Sequence, residues 1–344
     1  MYFEKDSYQN LVDRIDVDEL LDRIENATDI TIVHDKDPDG FCAAALMKLF
    51  IEHANSVDTP IRRFPISHGR PFQEANLFET VGQCDLLIIL DHACNRAKIC
   101  DLKALAKHLL VIDHHPESLD GLDASEGFYN GTEGDVTRIV STQFSSTALT
   151  DLLLRAYYPL VDVYSEELAS IVNHYDMWLF GEDEHFDKRV KAFAAAFFHY
   201  GHASIEWDKI VHDGDGYVYL SRTIDMGLAL LEFKNRQIDT ILKNRVITTN
   251  FMFDGLPYCV AIAYHTDSYD ELGSRMVKEI EGVDFAMIVA PIAGDERNHR
   301  LYFRSDNQHK DCSVFARYLG GGGHRNSCGA VVTPRTYVTF FNLL

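Results

Sequence analysis

Cysteine pairs, cations and long apolar runs are what this sequence has least of. Its seven cysteines include no CxxC pair, and none stands at ligand spacing from another cysteine or from a histidine, which argues against thiolate-held zinc. Cys94, just past Asp91, is the nearest exception. The chain opens MYFEKDSYQN, without a charged and then apolar leader, so the expected location is a reducing cytoplasm. No apolar run approaches the roughly 20 residues that a membrane span requires. Lys and Arg total 32 against 53 Asp and Glu, a net charge of −21. Such acidity repels phosphate backbones at long range, so no stable complex with long nucleic acid is expected. Short phosphate substrates remain open wherever cations gather locally. Internal repeats and low-complexity segments are missing too.

What is present is organised around LLVIDHHPES, Leu109 to Ser118. Leu109 to Ile112 reads as a buried strand, too short for a helix, and Asp113, His114 and His115 follow directly. Open α/β sheets place their chemistry at such strand ends. Two similar ends occur earlier: Ile30 to Val33 runs into His34 to Gly40 (HDKDPDG), and Leu86 to Leu90 runs into Asp91 and His92. Three apolar strands that each end in Asp and His point to one polynuclear metal site.

With 344 residues, the chain is long enough for a large core and two domains. Residues 8 to 26 carry apolar positions at helical spacing (Leu11, Ile15, Leu20, Leu21, Ile24) and predict a covering helix. A strand, an acidic loop and the helix FCAAALMKLFIEH follow. Strands are expected at 61 to 66 and from Arg138 to Ser141, the latter leading into a helix capped by Ser145 or Ser146. Alternating strands and helices imply a parallel sheet. SEELASIVNHYDMWLF predicts a helix ending near His174, Asp176 and Trp178, and Ser204 to Arg245 is mostly helical. YCVAIAY, FAMIVAPI and HRLYFRS read as strands of a smaller domain, with MVKEIEG helical between the first two. That domain ends in GGGGHRNSCGAVV. The expected division is 1–200, a 201–245 connector and 246–344.

Two hard divalent cations need oxygen and imidazole ligands, a bridging carboxylate and open positions for water and substrate. His34, Asp37, Asp39, Asp91, Asp113, His114, His115 and Asp176 supply these types. Any one alone is more often a helix cap or a satisfied histidine; together at strand ends they read as ligands. Arg62, Arg63, His68 and Arg70 form a second basic cluster, for which a solvated loop is the plainer reading.

HDKDPDGFCAAA, DHAC, the DHH triplet, YDMW and GGGGH, in this order, resemble a DHH phosphoesterase with a DHH-associated C-terminal domain. The first motif is most similar to the nanoRNase and cyclic-nucleotide phosphodiesterase branch. The resemblance covers roughly residues 28 to 335 and implies an N-terminal parallel-sheet α/β domain, a connector and a smaller, mixed-sheet α/β domain that binds substrate. It also implies two Mn2+ ions, with Mg2+ or Co2+ as substitutes. His34 and Asp37 would hold one, and Asp39, His114 and Asp176 the other. Asp91 would bridge them, Asp113 would support the shell and His115 would face the scissile phosphate. Asp35 competes with Asp37, because the spacing from His34 to Asp37 is one residue longer than in many relatives. His92 is expected to be structural or to act from behind the ligands.

The glycine run has two readings, a tight turn or a close approach to phosphate with His324 as donor. In the family this loop contacts substrate, which implies roles for Gly321, Gly322, Gly323 and His324, and Arg304 resembles the phosphate-binding arginine. Ser327 and Cys328 stand where relatives usually carry alanine. The resulting expectation is a manganese-dependent phosphodiesterase cutting short oligoribonucleotides in a cleft between domains, with a homo-oligomer compatible with it. The alternatives are a cyclic-dinucleotide or cyclic-nucleotide phosphodiesterase, a 3'-phosphoadenosine 5'-phosphate phosphatase, a pyro- or polyphosphatase, and a metal-free nucleotide-binding module.

Overall fold

A computed structural model describes residues 17–54, 59–66, 81–122, 127–158, 163–202, 205–212, 215–265, 269–306 and 310–341. The chain divides into two compact units, Met1–Leu231 and Glu232–Leu344.

The first unit opens with α1 (Val17–Glu25), whose Leu20, Leu21 and Ile24 are buried, so the expected covering helix is present; Leu11 and Ile15 lie outside the described residues. Its sheet has six strands: β1 (Ile30–Asp35), β2 (Ile61–Ile66), β3 (Cys84–Leu90), β4 (Ala106–Asp113), β5 (Phe128–Glu133) and β6 (Val136–Ser141). They lie in the order β2-β1-β3-β4-β6-β5. All neighbours are parallel except β5 and β6, which form an antiparallel hairpin at the edge. The expected parallel sheet is therefore present, with one antiparallel hairpin added at its edge. FYNGTE is short, polar and half exposed, so it carries no apolar signal.

Residues alternate between the two faces of this sheet because a strand has period two. Ile30, Ile32, Ile88, Leu110 and Ile112 join one core with α2 (Pro38–Ala54), α4 (Ser146–Tyr157), α5 (Val163–Asp176) and α6 (Glu184–Tyr200). Val33, Leu87, Ile89 and Val111 join the other with α3 (Arg96–Leu102), from which Ile99 and Leu102 are buried. Apolar runs buried on both sides are what a covered parallel sheet requires. Ser145 caps α4: its hydroxyl accepts from the Ala148 amide at 3.3 Å.

α7 (Trp207–His212) and the first half of α8 (Gly216–Asn244) contribute Trp207, Ile210, Leu220 and Ile224 to the core of the first unit. The second unit has a mixed sheet in the order β11-β12-β10-β9-β8-β7, in which only β8 and β9 run parallel. Its strands are β7 (Ile247–Phe253), β8 (Leu256–Tyr264), β9 (Phe285–Ile292), β10 (Asp295–Arg304), β11 (Gly322–His324) and β12 (Ser327–Val332). One face buries Phe251, Phe285, Phe303 and Phe315, with α10 (Ser313–Tyr318) and α11 (Pro334–Phe340) at that core; the other packs on α9 (Tyr269–Glu279) and the end of α8.

In α8, Gly227 meets α6 directly: a Cβ there would lie 1.8 Å from the Ala192 carbonyl oxygen. Gly227→Val should therefore push the helices apart at a cost of about 1–3 kcal/mol, several degrees in thermal midpoint by circular dichroism. An unchanged midpoint would show that α8 does not rest on α6 there.

Candidate metal centre

Strand β1 connects leftward to β2 and the chain then crosses to β3 on its other side, so the order reverses between β1 and β3. The carboxyl ends of strands flanking such a reversal form a crevice because their loops leave in opposite directions. His34 pairs in register with Leu90, which sets Asp35 and Asp91 beside this reversal.

The expected acidic loop, His34 to Gly40, is shorter than anticipated. His34 and Asp35 still belong to β1, and α2 starts at Pro38, a residue whose fixed φ suits the first helical position. Gly40 sits where a Cβ would meet the Asp35 carbonyl oxygen at 2.3 Å, so the helix can rest on the strand end only with glycine. Asp39 is thereby delivered from the first turn of α2 to the start of α4. Its Oδ2 accepts from the Ser146 amide at 2.8 Å and its Oδ1 from the Thr147 amide at 2.9 Å. These are orphan donors of a helix N-terminus, where the dipole also favours an anion.

Three groups of side chains converge, each with its potential ligand atoms within 4.8 Å: Asp35, Asp37 and Asp91; Asp39, His114 and Asp176; and Asp91, His114 and His115. His114 Nε2 stands 3.2 Å from Asp91 Oδ1 and 3.3 Å from Asp176 Oδ2. Asp91 takes φ 55°, a left-handed conformation that aspartate tolerates better than most residues. Asp91 Oδ2 and Asp176 Oδ2 are buried and have no hydrogen-bond partner. Burial first, and then Asp39 and Asp37, push the Asp91 carboxyl well above the usual range; burial and the same two aspartates bring Asp176 to about 8. Asp37 is raised by burial and by Asp39, although its Oδ1 accepts from the Gly40 amide at 2.9 Å.

Orphaned, crowded carboxylate oxygens in a site rich in oxygen and imidazole donors fit hard divalent cations, which would replace the missing partners. The donor set does not resemble a thiolate site, and all seven cysteines are unpaired by disulfides.

His34 belongs to none of the three groups. It is buried at the end of β1, its Nδ1 donates to the Asp35 carbonyl at 2.9 Å, and burial lowers its pKa to about 4. Since Nδ1 carries the proton, Nε2 keeps a lone pair, as a neutral ligand must. Asp113 is not in a ligand group either. Burial opposes its ionisation, yet His115 Nδ1 at 2.8 Å and the Ser118 hydroxyl outweigh that and hold it below the usual range. The same contact raises His115 to about 9.

His92, expected to be structural or to act from behind the ligands, does the latter, whereas the other groups that hold these acids in place carry no sequence signal. His92 Nδ1 lies 2.7 Å from Asp35 Oδ1 and its Nε2 lies 2.6 Å from Lys98 Nζ, so His92 acts on Asp35 from behind. The Ser146 and Thr147 amides on Asp39 leave no trace in sequence, since any residue supplies an amide. Of the second basic cluster, Arg62 pairs with Asp29 and Arg63 with Asp208, while His68 and Arg70 lie outside the described residues.

The second unit holds the other expected site residues. Arg304, Gly320 to Gly323 and Ser327 to Val331 line a cavity of about 520 Å³. Arg304 pairs with Asp270 and donates to the Phe303 carbonyl at 2.8 Å. The glycine run is the start of a hairpin, β11 to β12, more than a free loop. A Cβ at Gly321 would lie 2.0 Å from the Gly329 carbonyl oxygen, and one at Gly323, with φ 130°, would lie 2.6 Å from Cys328 Cα. Gly322 faces open space and His324 is exposed.

Residues 29–171 match the DHH family, N-terminal domain. The chain is 25% identical over 264 residues to the oligoribonuclease NrnB of Bacillus subtilis, a match covering 74% of this chain and 61% of that protein, so it spans less than two thirds of that relative. Among solved structures, a DHH domain described as belonging to a family of ribosomal proteins superposes with TM-score 0.55 at 14% identity, covering 98% of this chain and 91% of that one. CDC45 from Entamoeba histolytica superposes with TM-score 0.52 at 10% identity, covering 97% of both chains. At such identities these structures establish the fold.

Without divalent cations the carboxylates repel one another. Asp91→Asn keeps the shape and tolerates the left-handed backbone, so in chelator it should unfold at a higher temperature than the parent. Adding Mn2+ should raise the parent's midpoint by clearly more than the variant's, as cation binding to the native state stabilises it. Equal shifts in differential scanning fluorimetry would show that Asp91 is not a ligand.

Proposed function

We propose, since residues 29–171 belong to the DHH family as its N-terminal domain, that the protein is a manganese-dependent phosphodiesterase of short oligoribonucleotides. The observation that carries this reading is the pair of buried oxygens of Asp91 and Asp176 that accept no hydrogen bond, amid Asp35, Asp37, Asp39 and His114. The choice of substrate leans on the similarity to an oligoribonuclease. It also leans on the net charge of −21, which gives a long RNA nothing to hold beyond the site.

His34 through Nε2 and Asp37 would hold one cation, Asp39, His114 and Asp176 a second, and Asp91 would touch both. When bound, the pair lowers the pKa of a coordinated water towards neutrality and offsets charge on the phosphoryl oxygens. His115, kept protonated by Asp113, is suited to donate to a non-bridging oxygen or to the leaving oxygen near neutral pH. Asp113 in turn holds the His115 ring through Nδ1. Arg304, Gly321, Gly322, Gly323 and His324 would bind the substrate's other phosphate groups, through a guanidinium and through backbone amides that only glycine leaves accessible. The polar site and the scattered free cysteines accord with a cytoplasmic enzyme.

The reading is tested by incubating the protein with Mn2+ and dinucleotides, longer RNAs, cyclic dinucleotides, 3'-phosphoadenosine 5'-phosphate and polyphosphate. Dinucleotides should turn over fastest, and a higher rate on any other substrate would replace this assignment with that substrate's. Asp35 already accepts from His92, whereas Asp37 accepts one amide at the rim of the cluster. At saturating Mn2+, Asp37→Asn should therefore cost at least tenfold more kcat than Asp35→Asn; the reverse order would make Asp35 the ligand.

A further inference from the structure

A cavity of about 440 Å³ opens in the first unit beside His34. It lies at the carboxyl ends of β1 and β2, where His34 and Pro65 stand. Its wall is aromatic. Phe41 packs edge-on against His202, with centroids 4.5 Å apart, and runs nearly parallel to Trp207 at 6.0 Å and 11°. The Trp207 indole donates to the His202 backbone carbonyl at 3.3 Å, which ties the start of α7 to the backbone that carries the imidazole.

The cations at this cavity are already engaged. Arg63 makes a two-pronged pair with Asp208, at 2.6 and 2.9 Å, and Lys209 pairs with Glu206. A phosphate would find no free positive charge among these groups, whereas a flat, neutral aromatic ring would find the half-exposed rings of Phe41 and His202, with Trp207 buried behind Phe41 as their backing. The volume falls in the range of small-molecule pockets, and base stacking on aromatic side chains tolerates any base.

We propose that this pocket, walled by Phe41, His202 and Trp207, takes the nucleobase of a nucleotide whose phosphate lies at the neighbouring acidic cluster. The proposal rests on the phosphodiesterase reading, because His34 belongs both to the pocket wall and to the proposed ligand set. It adds a substrate subsite built wholly from the first unit. Bases of every kind should be accepted and abasic phosphates discriminated against.

The chain has two tryptophans, Trp178 and Trp207, so a Trp178→Phe background makes Trp207 the only indole reporter. GMP and AMP should quench its fluorescence in the presence of Mn2+, with Kd at least tenfold below that of ribose 5-phosphate competing for the same site. His202 is half-exposed, and His202→Ala should fold where a Trp207 variant risks not doing so. It should weaken GMP and AMP about fivefold or more while shifting ribose 5-phosphate less than twofold. Equal affinities for nucleotide and sugar phosphate, or a His202→Ala variant that binds GMP as the parent does, would overturn the pocket. The two readings fail separately. Nucleotide binding without hydrolysis of any phosphodiester would remove the activity and leave the pocket, and dinucleotide cleavage with KM unchanged in His202→Ala would do the reverse.

Discussion

Buried negative charge is the constraint to which the first unit is fitted. Asp35, Asp39, Asp91 and Asp113 are all buried, and Asp37 and Asp176 close the cluster. An isolated carboxylate in such surroundings is costly unless paired or hydrogen-bonded. Four of these acids have dedicated partners: His92 on Asp35, the Gly40 amide on Asp37, the Ser146 and Thr147 amides on Asp39, and Ser118 with His115 on Asp113. Asp91 and Asp176 each keep an oxygen without one. The protein thus stabilises most of its acidic cluster internally and leaves a defined remainder of carboxylate oxygens that could hold cations.

The fold supplies the means. Reversal of strand order between β1 and β3 opens the crevice, and two helix N-termini, those of α2 and α4, meet there through Asp39. Amides at helix starts are donors without intrahelical partners, so directing them at acids satisfies both sides. The adjoining aromatic pocket arises from the same arrangement, since Phe41 follows Gly40 in the turn that lays α2 on the end of β1.

Much of this was legible in the sequence. β1, β3 and β4 each end in a mainly apolar stretch that runs into Asp or His, so strand ends and chemistry were read together. The same signal could not find β5, β7 or the β11 to β12 hairpin. FYNGTE is half exposed, ITTNFMF is largely exposed, both are mixed in polarity, and a glycine run reads as a turn whether or not it pairs. Metal-ligand types were visible, and so were His92 and Asp113 behind them, but the backbone supports were not. Asp39 and Ser146 are 107 positions apart, and nothing in either local segment declares their contact. His34 shows the opposite case: it stands out in the motif, while its tautomer becomes apparent only from the Asp35 carbonyl beside it.

That 107-residue separation also orders events during synthesis. Asp39 gains its amide partners only after the β1 to β6 segment has folded and α4 has docked on α2, and Asp176 follows later still. Contacts this distant in sequence form late because the intervening loop must close first. A nascent chain emerging from the ribosome therefore carries the first acidic motif long before it carries the assembled acidic cluster.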